Sequence, residues 1–466
     1  MSEDVASLPT EDLVRAVEAE DRSAILSLAE EMHYADLAQT YQSLDEQKHA
    51  LFLKTIGPEI AADVIVELPD SMIEEALDHF GPSELKILFR ELPDDDRVDV
   101  LQDVGDEARL RYLGLLGPED EELTRSLLRY DEDTAGGRMT TQFGRLFADM
   151  TVKEALDTLR RDQESTETLA RIFVVDKKGH LIGRVRLRDL AFNPWQTPIR
   201  DIMKEVGPEQ RALATTDQEE VANLLLKYDL IVLPVVDEFD HLLGIITYDD
   251  AMEILQEEST EDIEKLAGIA GDAVEETYLQ SSVTTHFKRR FLWLFFLALL
   301  AIASGYVMMR FEDTLTKIFL LSLYLPMVVA AGGNTGGQAS TMVIRAMSLG
   351  ELTEGTALRV IWKEFRLGIL LGCFLGVAIA AITAFILPAF QPELPEGVTF
   401  LRFGLTVAIA LAAQIATSTV TGALLPLGAR AIRLDPAVVA APAITTVVDV
   451  SGMVIYFTIA QALLGL

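Results

Sequence analysis

DPAVVAAPAITTVVDVSGMVIYF, residues 435–457, opens the last hydrophobic stretch of the chain, Pro436 to Leu466, and places one carboxylate, Asp449, thirteen residues into it. At about 1.5 Å per residue that is the depth of the bilayer midplane in a spanning helix. An aspartate there costs roughly 2.5–3.5 kcal/mol even on a lenient insertion scale, so its default reading is functional. It is a candidate cation ligand. A cation path also needs partner oxygens, a membrane topology and a means of control.

Working outward, five hydrophobic stretches are long enough to cross a bilayer, which takes about 20 apolar residues: near 291–310, 315–347, 367–390, 400–429 and 437–464. HFKRR (286–290), then Arg345, Arg359, Lys363 and Arg366, then Arg430 and Arg433 flank alternate ends, whereas QPELPEG (391–397) carries only acids. The positive-inside rule then puts the N-terminal half in the cytoplasm and the C-terminus outside. Five spans leave no paired inverted repeat within one chain. A homodimer in the lipid would supply the missing two-fold symmetry.

The formal charge of -34 over 466 residues is uneven: residues 281–466 hold 12 Lys/Arg against 9 Asp/Glu, so residues 1–280 carry -37. So acidic a surface repels nucleic acid and anionic lipid and gathers cations, although many acidic surfaces serve only solubility. MSEDVASLPTEDLV at the start has no apolar core, so no cleavable signal peptide is expected and the soluble half should stay cytoplasmic. The single cysteine, Cys373, excludes an intramolecular disulfide framework and a cysteine-rich zinc site. No triad or phosphate loop is visible either, which argues against an enzyme.

Two repeats organise the acidic half. Leu44, Leu68, Leu92 and Leu116 recur every 24 positions, in SLDEQ, LPDSM, LPDDD and LGPED, with Gly57, Gly81 and Gly105 marking the turns between. That period predicts a short helical superhelix, with proline and carboxylates in the first turn of each helix. Asp95 and Asp99 lie four apart on one helical face and repel unless something positive sits between them. The second repeat has a period of 61. IFVVDKKGHLIGRVRLRDL (172–190) returns as LPVVDEFDHLLGIITYDDA (233–251), each read as strand, turn, strand and helix after an amphipathic helix. This duplicated set resembles a tandem pair of cystathionine-beta-synthase-like (CBS) domains. The resemblance implies a regulatory role, face-to-face dimerisation and, as such pairs often do, binding of an adenine nucleotide such as ATP.

Between these repeats and the membrane, AMEILQEESTEDIEKLAGIAGDAVEETYLQSS (251–282) reads as a helix crowded with Glu253, Glu257, Glu258, Glu261 and Asp262. It is either a solvated linker or a surface whose self-repulsion divalent ions relieve. In the second span, LPMVVAAGGNTGGQASTMVIRA (325–346) carries four glycines near mid-membrane. They would weaken the helix and free carbonyls beside Asn334, Thr335 and Gln338, a broken backbone that membranes tolerate only where it is buried or lines water. Gly368, Gly372 and Gly376 instead fit close helix packing. Gln414, Thr417, Ser418, Thr419 and Thr421 form a polar stripe in the fourth span that suits interhelical hydrogen bonding or a pore wall equally.

Together, the 24-residue repeats, the CBS pair, the acidic linker, GGNTGGQ and DPAVVAAPAITTVVDVSG resemble MgtE-type magnesium channels over essentially the whole chain. The implied fold is multidomain: a cytosolic all-α superhelical domain (1–133), α/β tandem CBS domains (134–200 and 201–256), a connecting helix (257–285) and an α-helical pore domain of five spans (286–466). The family implies a homodimer in the inner or plasma membrane that conducts Mg2+ through a central pore at the dimer interface. By motif, Asp449 holds hydrated magnesium, with Gly333, Asn334, Thr335, Gly336, Gln338, Ala441 and Thr445 lining the path. Cytosolic magnesium would close the pore through Asp95, Asp99, Glu219, Asp229, Asp250, Glu258, Glu261, Asp262 and Asp435. Ala441 and Thr445 depart from the family pattern, which bears on selectivity. Magnesium keeps most of its waters and takes one or two carboxylates, which suits two copies of Asp449. The alternatives are a CBS-regulated carrier coupled to protons or sodium, and a membrane-tethered sensor that transports nothing.

Overall fold

The structure is a computed structural model; it describes residues 7–162, 166, 168–269, 281–352, 355–390, 394 and 397–466, with 7–9, 438–443 and 445 described as backbone alone. The described residues divide into two compact units, the first ending at Glu258 and the second beginning at Ser259.

The first unit starts with nine helices: α1 (Ser7–Glu18), α2 (Arg22–Ala29), α3 (Tyr34–Ser43), α4 (Glu46–Val66), α5 (Asp70–Asp78), α6 (Pro82–Glu91), α7 (Asp94–Gln102), α8 (Asp106–Leu113) and α9 (Pro118–Leu127). The 24-residue period is a helix pair. A helix begins two residues after each of Leu44, Leu68, Leu92 and Leu116, and Gly57, Gly81 and Gly105 each immediately precede the second helix of a pair. At Gly57 the backbone takes φ +83°, which splits α4 by a kink ahead of Pro58. Pro69 and Pro93 cap α5 and α7 from the position before the first turn, one residue earlier than the sequence suggested. Tyr41, Phe52, Phe89 and Tyr112 are fully buried and anchor the shared core.

The CBS pair follows as β1 (Phe143–Phe147), α10 (Val152–Arg161), β2 (Thr168–Val175), β3 (Leu181–Val185), α11 (Leu187–Phe192), α12 (Ile199–Ile202), β4 (Ala212–Leu213), α13 (Gln218–Lys227), β5 (Val232–Val236), β6 (Leu242–Thr247) and α14 (Tyr248–Leu266). Each repeat forms a three-stranded sheet in sequence order, its first pair parallel and its second antiparallel. The leading strands β1 and β4 were absent from the sequence reading; β4 has only two residues and carries no alternation to detect. The two repeats join at their turns, where Leu181 N–H donates to Asp240 C=O (2.9 Å) and Leu242 N–H to Gly179 C=O (3.1 Å).

In the second unit, α15 (Val283–Arg310), α16 (Glu312–Lys317), α17 (Leu321–Ser348), α18 (Ala357–Phe385), α19 (Phe400–Ala431) and α20 (Pro436–Leu464) follow the end of α14. Among the described residues four helices have the length and apolarity to cross a membrane: α15, α18, α19 and Thr446–Leu464 of α20. The fifth expected span is α17, which has the length but carries the polar run from Asn334 to Thr341. The expected stretch 315–347 splits into α16 and α17, and α15 and α18 begin eight and ten residues before the expected 291 and 367. Most of α14's expected continuation, residues 270–280, lies outside the described residues.

The glycine run corrects an expectation. Residues 332–338 lie inside α17 as uninterrupted helix, so no break in the backbone frees their carbonyls. Glycine lowers helix propensity by about 1 kcal/mol, but tertiary contact overrides that preference. Gly336 meets α19 so closely that a Cβ on Gly422 would overlap the Gly336 carbonyl oxygen. The small-residue spacing of α18 acts as expected: a Cβ on Gly372 would stand 2.7 Å from Ala412 Cα of α19.

Candidate ion pathway and acidic sites

Helix α17 has two polar edges with different fates. Asn334, Gln338 and Thr341, spaced four and three apart, are exposed in the single chain. Gly333 and Gly337 face the same open side, with nothing within 4 Å of where a Cβ would stand. Gly336 lies on the other edge, buried against the Ser418 carbonyl and Ile444. The Thr335 hydroxyl turns back to its own helix, donating to Ala331 C=O at 2.8 Å. Of the residues expected to line a path, Asn334, Gln338 and Gly333 stand on the open edge of α17 and Gly336 on the buried one.

The stripe in α19 separates in the same way. Gln414, Ser418 and Thr419 are buried, with Thr419 donating to Glu364 C=O of α18 at 3.1 Å and Gln414 to Val448 C=O of α20 at 2.9 Å. Gln414 and Thr419 thus join helices. Thr417 is exposed and Thr421 half-buried, and both bond to carbonyls of their own helix at 2.9 Å.

Asp449 is half-buried on α20, directly after the fully buried Val448. The side chains of Ala441 and Thr445 lie outside the described residues. Among the described residues no three His, Cys, Asp or Glu side chains gather closely enough to hold a metal ion. Among the described residues, one chain therefore offers no carboxylate cage at Asp449.

The expected regulatory acids fall into separate groups. In the first unit Asp94 pairs with Arg97 and accepts from Thr141, beside the buried Asp95. Arg138, which sequence reasoning passed over, supplies the positive charge near Asp99. Its Nη1 lies 3.8 Å from Asp99 Oδ2, its Nη2 donates to Glu257 at 2.7 Å, and its Nε donates to Gln218 Oε1 at 3.0 Å. Gln218 Nε2 in turn donates to Glu258 at 2.7 Å. The only sequence signal was an isolated arginine in an acid-rich region.

Charge remains uncompensated despite Arg138. Burial, with Asp99, Asp250 and Glu253 adding repulsion, lifts the Asp96 carboxyl to about 7. Burial also raises Asp99, where Arg138 pulls the other way and Asp103, Glu257 and Asp250 push up. Asp250 caps the start of α14, accepting from Thr247 N–H (3.0 Å) and Oγ1 (2.8 Å); burial raises it against these bonds. Glu219 and Asp229 stand at opposite ends of α13, roughly 15 Å apart by helix rise. A single ion within one chain cannot bridge those two.

In the second unit Lys265 of α14 bridges Glu261 and Asp435, the latter at 2.8 Å. Asp435 also caps α20, accepting from Ala437 N–H at 2.8 Å. Against burial, its hydrogen bonds to Asp435 and Glu261 hold Lys265 above its ordinary range. Burial raises Asp262, and Asp435 raises it further. Glu261, Asp262 and Asp435 are thus brought together around one lysine.

These shifts set a pH dependence. A carboxyl whose folded value exceeds its ordinary value near 3.8 favours the fold at low pH and withdraws that support as pH rises through the folded value. For Asp96 the window runs from about 4 to 7. The metal-free full chain should therefore unfold at a lower temperature at pH 8 than at pH 5, by on the order of 5 °C. A thermal scan at both pH values with chelator present checks this; a higher transition at pH 8 would contradict the assignment.

The chain is similar to known proteins along most of its length. The family model "Divalent cation transporter" (MgtE) matches residues 325–459, "MgtE intracellular N domain" matches 32–133, and "CBS domain" matches 136–193 and 199–257. The chain is 34% identical to the magnesium transporter MgtE of Thermus thermophilus over 97% of this chain and 98% of that one. It is 30% identical to the magnesium transporter MgtE of Bacillus subtilis over 94% and 93%. Among solved structures, the cytosolic domain of the Mg2+ channel MgtE in complex with ATP is 37% identical, covering 53% of this chain and 99% of that one at a TM-score of 0.50.

Proposed function

Because this chain belongs to the MgtE family of magnesium transporters, we propose that it is a magnesium-conducting channel, without chemical turnover, whose pore forms between two copies and closes when cytosolic magnesium rises. The observation that carries this reading is the exposed polar edge of α17. Asn334, Gln338 and Thr341 stand open in the single chain, within a layer whose other long helices are apolar. Polar side chains facing hydrocarbon are expensive, so that edge calls for water and a second copy. Two such edges with two copies of Asp449 supply amide, hydroxyl and carboxylate oxygens to a hydrated ion. The channel lies in the cell membrane with its acidic half cytoplasmic and its C-terminus outside.

Control belongs to the acids. Burial, with repulsion from neighbouring acids, lifts Asp96, Asp99 and Asp262; a divalent cation offsets both, and oxygen donors of this kind suit magnesium. With no three carboxylates converging among the described residues, such ions would bind with waters retained, between surfaces rather than in a cage. Asp95, Asp250, Glu219, Asp229, Glu258, Glu261 and Asp435 complete the proposed set. The CBS pair takes an adenine nucleotide, supported by the 37% identical ATP-bound cytosolic domain.

The reading is tested with cysteines. Cys373 lies exposed on α18 and is the only native cysteine, so modifying it in the native chain should leave magnesium flux intact. In a Cys373→Ser background, Asn334→Cys should cross-link two copies on oxidation, and a charged thiol reagent should block its flux. A monomeric, reagent-insensitive Asn334→Cys protein would place that edge away from the pore.

A further inference from the structure

The Gln414 amide occupies a slot cut by two glycines on two other helices. A Cβ on Gly332 of α17 would collide with its Nε2, and a Cβ on Gly452 of α20 would stand 2.6 Å from the same atom. From this slot Nε2 donates to the Val448 carbonyl at 2.9 Å, which also accepts from Ser451 Oγ at 3.2 Å. Val448 is fully buried and immediately precedes Asp449.

Packing alone does not explain a glutamine here. Its Oε1 and the nearby Ser418 Oγ are both buried with no hydrogen-bond partner among the described residues, and an unsatisfied buried acceptor is destabilising. A leucine would fill the slot with no such orphan. What glutamine offers is one N–H aimed at one carbonyl of α20.

We propose that Gln414 is a positioning residue for ion passage, fixing the rotation and depth of α20 so that Asp449 meets its copy across the pore at the separation a hydrated ion requires. The proposal rests on the pore role of Asp449. Successive residues of a helix differ by about 100° in direction, so a small slip of α20 re-aims the carboxylate. A two-fold axis doubles any such displacement, since both copies move. Gly332, one of the two buried glycines of the GGNTGGQ run, then serves this lock, while Asn334 and Gln338 serve the open edge.

The test uses the full-length chain in liposomes, with magnesium flux blocked by cobalt(III) hexaammine, an inert mimic of a hydrated divalent ion. Gln414→Leu should raise the half-blocking concentration about tenfold while its unfolding temperature stays at or above that of the native chain. A packing role predicts the reverse, lower stability with unchanged block, and that result overturns the proposal. Should Gln414→Leu fail to fold, the unbranched Gln414→Met takes its place; failure of both would show that glutamine is needed for folding, and would also overturn it. Asp449→Ala separates the two ideas. If it still conducts, the pore reading falls. If it is silent and Gln414→Leu is blocked like the native chain, only the positioning role falls.

Discussion

Asp449→Ala is expected to abolish magnesium flux while the protein remains folded and membrane-inserted. Unit charges 4 Å apart at an effective dielectric of 20 attract by about 4 kcal/mol, and a divalent ion roughly doubles that. Losing even half of that attraction lowers occupancy about a thousandfold, and the variant loses the carboxylate from both copies. Removing the carboxylate also removes an insertion cost of roughly 2.5–3.5 kcal/mol, so yield should not fall. Asp449→Asn, which keeps shape and a neutral oxygen, should retain weak flux. Uptake of magnesium at the native rate by the alanine variant, followed with an indicator dye inside liposomes, would remove Asp449 from the pathway.

Neutralising the connecting helix should have the opposite effect on control. Glu258→Gln, Glu261→Gln and Asp262→Asn together are expected to leave flux at low internal magnesium unchanged and to raise the inhibiting concentration by about tenfold or more, within the usual span of coupling energies. Lys265 gives a control of opposite sign. It sits between Glu261 and Asp435 as an internal counter-cation. Lys265→Met leaves Glu261, Asp262 and Asp435 more in need of a metal, so inhibition should set in at lower magnesium. Inhibition unchanged in the triple variant would reduce those acids to a solvated face.

Features encoded within one element or one repeat were legible in the sequence. The spacing of Leu44, Leu68, Leu92 and Leu116 is the helix pair itself, because each stands two residues before a helix and packs in or against the shared core. The duplicated VVD segments are the paired middle strands, and β5 is buried along its whole length, so it reads as an apolar run. Asp449 stood out because a charge in an apolar segment is rare for an energetic reason.

Partners distant in sequence were not legible. Helix propensity made the glycines of α17 read as a break, yet Gly332 and Gly336 keep helical backbone and exchange propensity for contact with α19. Whether Gln414 joined helices or lined a pore depended on which way the helix was turned, and only its bond to Val448 resolves it. Arg138 escaped notice because its partners, Asp99 and Glu257, lie 39 and 119 residues away.

The central claim is that this chain is a magnesium channel closed by the ion it passes. The most direct measurement is a single-channel recording of the full-length chain in a planar bilayer, with magnesium as the only permeant cation and no gradient of protons or sodium. Unitary magnesium currents that fall silent as magnesium is raised on the cytoplasmic face are the expected result. Flux without unitary steps, appearing only when a proton or sodium gradient is imposed, would contradict it and make the protein a coupled carrier.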